Sequence, residues 1–384
     1  MAQTYPPVSR ADGGPKLTIV QIQIPAELLP VDGRFGSGPA KVRAEALEYL
    51  SMRGDIMGTS HRQAPVRSLV AAVQEELADL YDIPDGYEVV LGNGGSTLFW
   101  DMAVSSLVEN RSAHGVFGEF SRKFASASAA APHLADPAVF EAEPGSVALP
   151  EPGDADVFAW AQNETSTGAA APVLRIGDGL VVIDATSAAG GMEADISETD
   201  VYYFAPQKNF SSDGGLWLAF ASPAAIERAE RIKASGRWIP QSLDFTLAVA
   251  NSRQHQTLNT PALATLLLLE DQLGWMLELG GIEAVAARCA QSSGVLYEWA
   301  EKRAFASPFV PHPGFRSPVV ATLDLVDGVD SKALIAALRS NGIVDIDPYR
   351  ALKRNQLRVG CYASVDPEDV EALTACIDYV VDRL

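Results

Sequence analysis

The chain holds 384 residues, 47% of them hydrophobic, with 49 acidic against 29 basic side chains and a net charge of −20. No Lys/Arg-rich run interrupts that acidity, which excludes a nucleic-acid-binding surface, because phosphate backbones need a basic face. Three cysteines, Cys289, Cys361 and Cys376, show neither metal-ligand spacing nor a disulfide framework, as in a reducing compartment.

Residues 1–15 are rich in Pro, Gly and polar side chains and are expected to be flexible. They lack the basic-then-apolar pattern of a secretory signal. The longest apolar run, residues 262–270, is too short to cross a bilayer. A cytoplasmic location is expected, with no membrane partner. An acidic surface around a small basic pocket suits a soluble enzyme with an anionic substrate. The turn-rich Arg34-Phe-Gly-Ser-Gly-Pro39 predicts a helix over 40–52 opened by Pro39. Val66, Leu69, Val70, Val73, Leu77 and Leu80 recur at helical spacing over 65–81.

From there strands and helices alternate. Strands are predicted at 87–91, 114–117, 155–161, 180–185, 201–205 and 216–221, and helices at 97–109, 120–131 and 223–235. The strands are apolar runs without clean alternation, the mark of strands buried on both faces in a mostly parallel α/β sheet. Long helices follow at 261–280 and 282–303. The pattern then changes to strand 319–324, helix 331–340, strand 357–362 and helix 367–384, a smaller α+β unit. The expected division is a tail over 1–15, a segment 16–44 associated with the small domain, a large domain 45–285 and a small domain 286–384.

Two residues carry the chemistry. The strand Val201–Ala205 delivers Lys208 into a loop, and the strand Leu180–Ala185 ends on Asp184. A lysine for a Schiff base and a carboxylate for a pyridine nitrogen together suit pyridoxal phosphate, whose protonated ring is an electron sink. Gly92-Asn-Gly-Gly95-Ser96-Thr97 links a strand to a helix and can cradle a phosphate with backbone N–H groups and the helix dipole. It lacks the Gly-Lys-Ser/Thr ending of a nucleotide loop and the Gly-x-Gly-x-x-Gly pattern, so a single phosphate is favoured over a nucleotide. Trp100, inside a predicted helix, is read as packing.

These motifs stand in order with Phe35-Gly-Ser-Gly-Pro39, Thr59-Ser-His-Arg62, Asn163-Glu-Thr165, Asp184-Ala-Thr-Ser187, Ala205-Pro-Gln-Lys208-Asn, Asn259-Thr-Pro261 and Leu357-Arg358-Val. On these residues the chain resembles the class V aminotransferases of fold type I, and among them the phosphoserine aminotransferases of actinobacteria, over roughly residues 34–380. The resemblance implies a large, mostly parallel seven-stranded sheet domain that binds pyridoxal phosphate and a smaller C-terminal α+β domain. It also implies a homodimer with shared active sites. Lys208 would form the Schiff base and Asp184 would pair with the ring nitrogen. Thr165 would bond the phenolic oxygen and Phe120 would stack on the ring. Gly95, Ser96, Thr97 and Gln207 would hold the phosphate, completed by Asn259 and Thr260 of the neighbouring subunit.

For substrate, the resemblance implies Ser37 among the binding residues, Arg358 at the α-carboxylate, and His61 and Arg62 from the neighbouring subunit at the distal anion. Planar guanidinium groups suit both carboxylate and phosphate. The implied reaction exchanges an amino group between L-glutamate and a phosphorylated three-carbon keto acid, in serine and also pyridoxine biosynthesis. The chain departs from its better-known relatives at Asp347-Pro-Tyr-Arg350-Ala-Leu-Lys353-Arg354, where some have a His-Arg pair for the phosphate. Three other readings are an alanine–glyoxylate or serine–pyruvate type aminotransferase, a cysteine desulfurase, and a non-catalytic metabolite-binding protein on the same scaffold. The desulfurase reading needs a mobile-loop cysteine, whereas Cys361 falls in an apolar strand.

Overall fold

The computed structural model describes residues 22–384, so the expected tail over 1–15 and residues 16–21 of the next segment lie outside the described residues. Two helices lead into the fold. The first, α1 (Ala44–Met52), begins four residues later than the Pro39 signal suggests. The Ala40 N–H is committed to the Gln207 carbonyl at 2.8 Å, and Lys41 Nζ sits among Asp32, Asp366 and Asp369. These tertiary anchors outweigh the local helix-start signal. In α2 (Ala64–Tyr81) all six periodic apolar residues are buried, and the helix stops where Asp82 turns left-handed at φ 44°.

The chain then alternates through β1 (Glu88–Gly94), α3 (Ser96–Ser106), β2 (Ser112–Val116), α4 (Glu119–Ala130), β3 (Ala138–Glu141) and β4 (Val157–Ala161). A two-residue pair, β5 (Asn163–Glu164) and β6 (Ala169–Ala170), interrupts it. It continues through β7 (Leu180–Asp184), β8 (Val201–Phe204), β9 (Gly215–Ala221), α5 (Pro223–Ala234), α6 (Phe245–Ser252), α7 (Leu263–Glu278) and α8 (Gly281–Glu301). Seven strands form one sheet in the order β1-β9-β8-β7-β4-β2-β3. β2, β3, β4, β7 and β8 are parallel neighbours, and β9 runs antiparallel to both β8 and β1. All the residues of β2, β4, β7 and β8 are buried, which is why these strands read as continuous apolar runs. α2 and α7 cover one face, and α3, α5 and α6 the other.

A second core surrounds the three-stranded sheet β10 (Ala306–Pro308), β11 (Val320–Leu325) and β12 (Gln356–Gly360), packed with α9 (Ser331–Ser340) and α10 (Pro367–Val381). α8 joins the two cores: Val285 and Cys289 belong to the first, Leu296 and Ala300 to the second. All three cysteines are buried free thiols, Cys361 among them. Among the described residues no helix is long and apolar enough to cross a membrane.

The topology positions one rim. β1, β2, β4, β7 and β8 all point the same way, so the segments leaving their carboxyl ends gather there. Ligands of open α/β sheets sit at that edge.

Candidate active site

Register places Asp184 at the end of β7 opposite Ala161 of β4 and Tyr203 of β8. The turn after β8 brings Lys208 alongside. Together with Gly95, Ser96, Thr97, Trp100, Phe120, Asn163, Thr165, Thr186, Ser187 and Gln207 they line one cavity of about 230 Å³. Eight of the residues predicted from sequence to hold the cofactor therefore meet in a single space.

Lys208 Nζ donates to the Ser37 carbonyl at 2.9 Å, and the hydroxyl of the buried Tyr362 donates to the same oxygen at 2.7 Å. Ser37 is buried and presents its backbone to the lysine. Gly38 must be glycine: its φ is +140°, and a Cβ there would lie 1.9 Å from Lys208 Nζ. Burial pushes the Lys208 amine down from the ordinary lysine range to about 8. The Arg358 charge acts in the same direction, against Asp184 and Glu164. Near neutral pH this amine gives up a proton far more readily than a solvated lysine does.

Asp184 is buried and accepts three hydrogen bonds. Trp100 Nε1 donates to Oδ2 at 3.1 Å, and Thr186 donates to Oδ1 from its amide at 3.0 Å and from its hydroxyl. The reading of Trp100 as packing alone is thus corrected. Its helix packs it, yet the indole N–H is spent on the carboxylate, because α3 crosses the rim where β7 ends. Ser187 holds a second network: Asn163 Nδ2 and the Thr165 hydroxyl both reach its Oγ, at 2.8 and 2.7 Å.

Glu164, fully buried, accepts from the amides of Phe120 and Ser121 and from the hydroxyls of Ser121 and Ser166. It caps the start of α4 from another segment and so fixes the helix turn that bears Phe120. Arg358, on β12, donates to the Thr165 carbonyl at 3.2 Å and lies over the Tyr349 ring at 5.2 Å. Its Nε is buried without a partner, and burial lowers its pKa. Tyr349 also meets Phe120, with ring centroids 5.9 Å apart.

His61, Arg62, Asn259 and Thr260 do not line this cavity within one protomer. Three of them cluster on another surface: Thr260 Oγ1 lies 3.4 Å from His61 Nδ1, and Asn93 bonds both the Asn259 amide and the Thr260 carbonyl. Of the three basic residues before Arg358, Arg354 is held by Asp324 through two hydrogen bonds and stacks on Phe309. Arg350 and Lys353 are exposed and make no ion pair among the described residues.

Sequence reasoning missed Thr186, Ser187, Glu164, Tyr349 and Tyr362. Thr186, Ser187 and Glu164 stood inside quoted motifs, so a polar residue beside a functional one was the available signal. Tyr349 stood in the segment quoted for its basic residues, where the aromatic side chain went unread; Tyr362 carried no signal, since only the fold brings it to the rim.

Pyridoxal phosphate fits these residues. α3 has no side-chain cap, so its first N–H groups are free for an anion beside Ser96 and Thr97. The amide oxygens of Gln207 and Asn163 are buried without partners. At the other end waits a buried carboxylate, with an amine between. Fold and cavity together define a pyridoxal-phosphate-dependent enzyme.

Comparison with known proteins narrows the class. The family model for class V aminotransferases matches residues 152–373. A phosphoserine aminotransferase of a Nocardioides species is 55% identical over 370 residues, covering 94% of this chain and 99% of that protein. A protein of Mycolicibacterium vanbaalenii that provisionally carries the same name is 57% identical over 367 residues, with coverage of 94% and 99%. In fold, the chain is similar to the crystal structure of a phosphoserine aminotransferase from Cytophaga hutchinsonii, with a TM-score of 0.83, 21% identity, and coverage of 91% and 99%. The chain belongs to the class V aminotransferase family.

Proposed function

We propose that the chain catalyses the reversible transamination of 3-phosphohydroxypyruvate with L-glutamate to give O-phospho-L-serine and 2-oxoglutarate, in serine biosynthesis. One observation carries the transaminase reading, and the relatives at 55% and 57% identity support the phosphorylated substrate. Arg358 is fixed by the Thr165 carbonyl and the Tyr349 ring, and its unpartnered Nε lies where its charge already acts on Lys208. A planar, pre-oriented guanidinium there suits the α-carboxylate of an amino acid whose α-carbon must reach the lysine.

Bound pyridoxal phosphate supplies the ring that holds the electron pair left on the substrate carbon. The remaining work falls to the chain. Lys208 Nζ takes the proton from the substrate Cα and returns one on the cofactor side, a task suited to an amine whose pKa is lowered to about 8. Asp184 would hold the ring-nitrogen end of the cofactor and Phe120 its ring face, with Thr165 and Gln207 supplying the other polar contacts. Arg350 and Lys353, exposed and without an ion pair among the described residues, are the candidates on the same subunit for the substrate phosphate, since Arg354 is held by Asp324. His61 and Arg62, with Asn259 and Thr260, serve the site of a second copy, so the working unit is a homodimer. An acidic chain with three buried free thiols fits a reducing cytoplasm.

The test is an absorbance spectrum of the cofactor-loaded protein before and after O-phospho-L-serine, with L-alanine and L-serine as controls. Conversion of the cofactor to its amine form by phosphoserine alone is expected. Conversion by alanine or serine in its place would move the chain to the aminotransferases of unphosphorylated substrates.

A further inference from the structure

We propose that Trp100 is a positioning residue for the ring-nitrogen end of the cofactor, acting through the Asp184 carboxylate. The inference rests on the reading that Asp184 faces that nitrogen. An ionised carboxylate offers about four lone-pair sites. Thr186 fills two on Oδ1, through its amide at 3.0 Å and its hydroxyl. Trp100 Nε1 fills one on Oδ2 at 3.1 Å. The remaining site is on Oδ2, the oxygen that Trp100 holds; it is open to a donor in the cavity, and the buried Tyr203 hydroxyl beside this carboxylate makes no hydrogen bond to it.

A carboxylate is a soft rotor, because its last torsion is broad and twofold. Without a donor on Oδ2, the two contacts on Oδ1 pin one oxygen and let the other swing. Trp100 is well suited to stop that motion. It is 5% exposed, and Phe124 stacks beside it at 6.4 Å with the rings 17° apart. It also sits four residues after Ser96 on α3, hence on the same helix face. Ser96 Oγ is 2.6 Å from Thr186 Oγ1, whose own hydroxyl reaches Asp184. One face of α3 therefore addresses both ends of the cofactor: Ser96 at the anion end, and Trp100 at the carboxylate that meets the ring.

The test compares two ligands on the cofactor-stripped full chain: pyridoxal phosphate, and its 1-deaza analogue, in which C–H replaces the ring nitrogen. Trp100→Phe keeps an aromatic ring and removes the N–H. It is expected to weaken pyridoxal phosphate about tenfold, the size of one hydrogen bond to a charged group, and to leave the analogue unchanged. Equal weakening of both ligands means packing alone and overturns the inference, as does no weakening of either.

Asp184→Ala separates the underlying reading. If it weakens both ligands alike, the assignment of Asp184 fails. If it is selective and Trp100→Phe is not, only Trp100 fails. Should Trp100→Phe not fold, the indole ¹⁵N–¹H resonance of Trp100 decides in the otherwise intact chain. It moves on Asp184→Asn if the bond is made, and an unmoved resonance overturns the proposal.

Discussion

Lys208 shows how a residue acquires a property that its type does not have. A lysine at a strand end is ordinarily a solvated cation. This one lies at the rim of the sheet, with one hydrogen committed to the Ser37 carbonyl and the fixed charge of Arg358 nearby. Burial lowers its pKa most, and Arg358 lowers it further. The sign follows directly. Above about pH 8 the free amine dominates and attacks an aldehyde; below it the ammonium does not. Uptake of pyridoxal phosphate by the cofactor-free protein is therefore expected to quicken as pH rises, with a midpoint near 8. Arg358→Gln removes a like charge, so its midpoint should move upward, toward the ordinary lysine value. Stopped-flow absorbance across pH checks both, and an unmoved midpoint in the variant would show that Arg358 does not act on the amine.

At the scale of elements, the same competition between local preference and tertiary contact decides what a sequence reveals. The apolar runs of β4, β7 and β8 were legible because both faces of those strands are buried. α1 started late because Ala40 and Lys41 are anchored elsewhere. α6 escaped notice at eight residues, although Asp244 was a readable start signal: its carboxylate accepts from the Thr246 and Leu247 amides. Lys208, Asp184 and Thr165 were legible as motif members, since each acts close to its own strand end. Tyr349 and Trp100 were not, because their partners lie on other elements and only the folded register joins them. The pairing of α2 with α7 adds a testable consequence. It half-buries Glu76 and sets it near Glu270, Asp79 and Glu75; desolvation first and these charges second raise its pKa to about 7. An acid whose folded pKa is raised favours folding less as pH climbs from its unfolded value toward the folded one. Glu76→Gln is expected to raise the denaturation midpoint at pH 8 and to leave it unchanged at pH 4, with a gain of about 1 kcal/mol because the group is only partly buried. Urea melts at the two pH values measure it, and an equal gain at both would mean that ionisation plays no part.

Over the whole molecule, the strap of residues 33–41 ties the two sheets together where the site lies. Its Phe35 carbonyl accepts from Gly360 at the end of β12, its Gly33 carbonyl accepts from Val344, and its Ala40 amide bonds Gln207 beside the lysine. The strap ends on Lys41, whose side chain is only 6% exposed and lies 3.5 to 3.8 Å from Asp32, Asp366 and Asp369. These separations are long for hydrogen bonds, so the attraction is that of one ammonium shared among three carboxylates. The carboxylates differ in what else they hold. Asp32 has Arg34, Asp366 has Arg288, and Asp369 has the Val31 and Asp32 amides but no other cation among the described residues. Removing the ammonium therefore strands Asp369, whose side chain is 4% exposed. Breaking a buried pair from one side costs about 3 kcal/mol or more, because the remaining charge stays desolvated. Lys41→Met should lower the urea midpoint accordingly. It should also weaken pyridoxal phosphate, since the strap carries the carbonyl that holds Lys208. Adding Asp369→Asn removes the stranded charge and is expected to restore most of the stability, while the cofactor affinity stays reduced because the strap remains untied. If the double variant recovers both together, the strap's hold on the site does not depend on Lys41. If Lys41→Met melts like the parent chain, the shared ammonium contributes no stability.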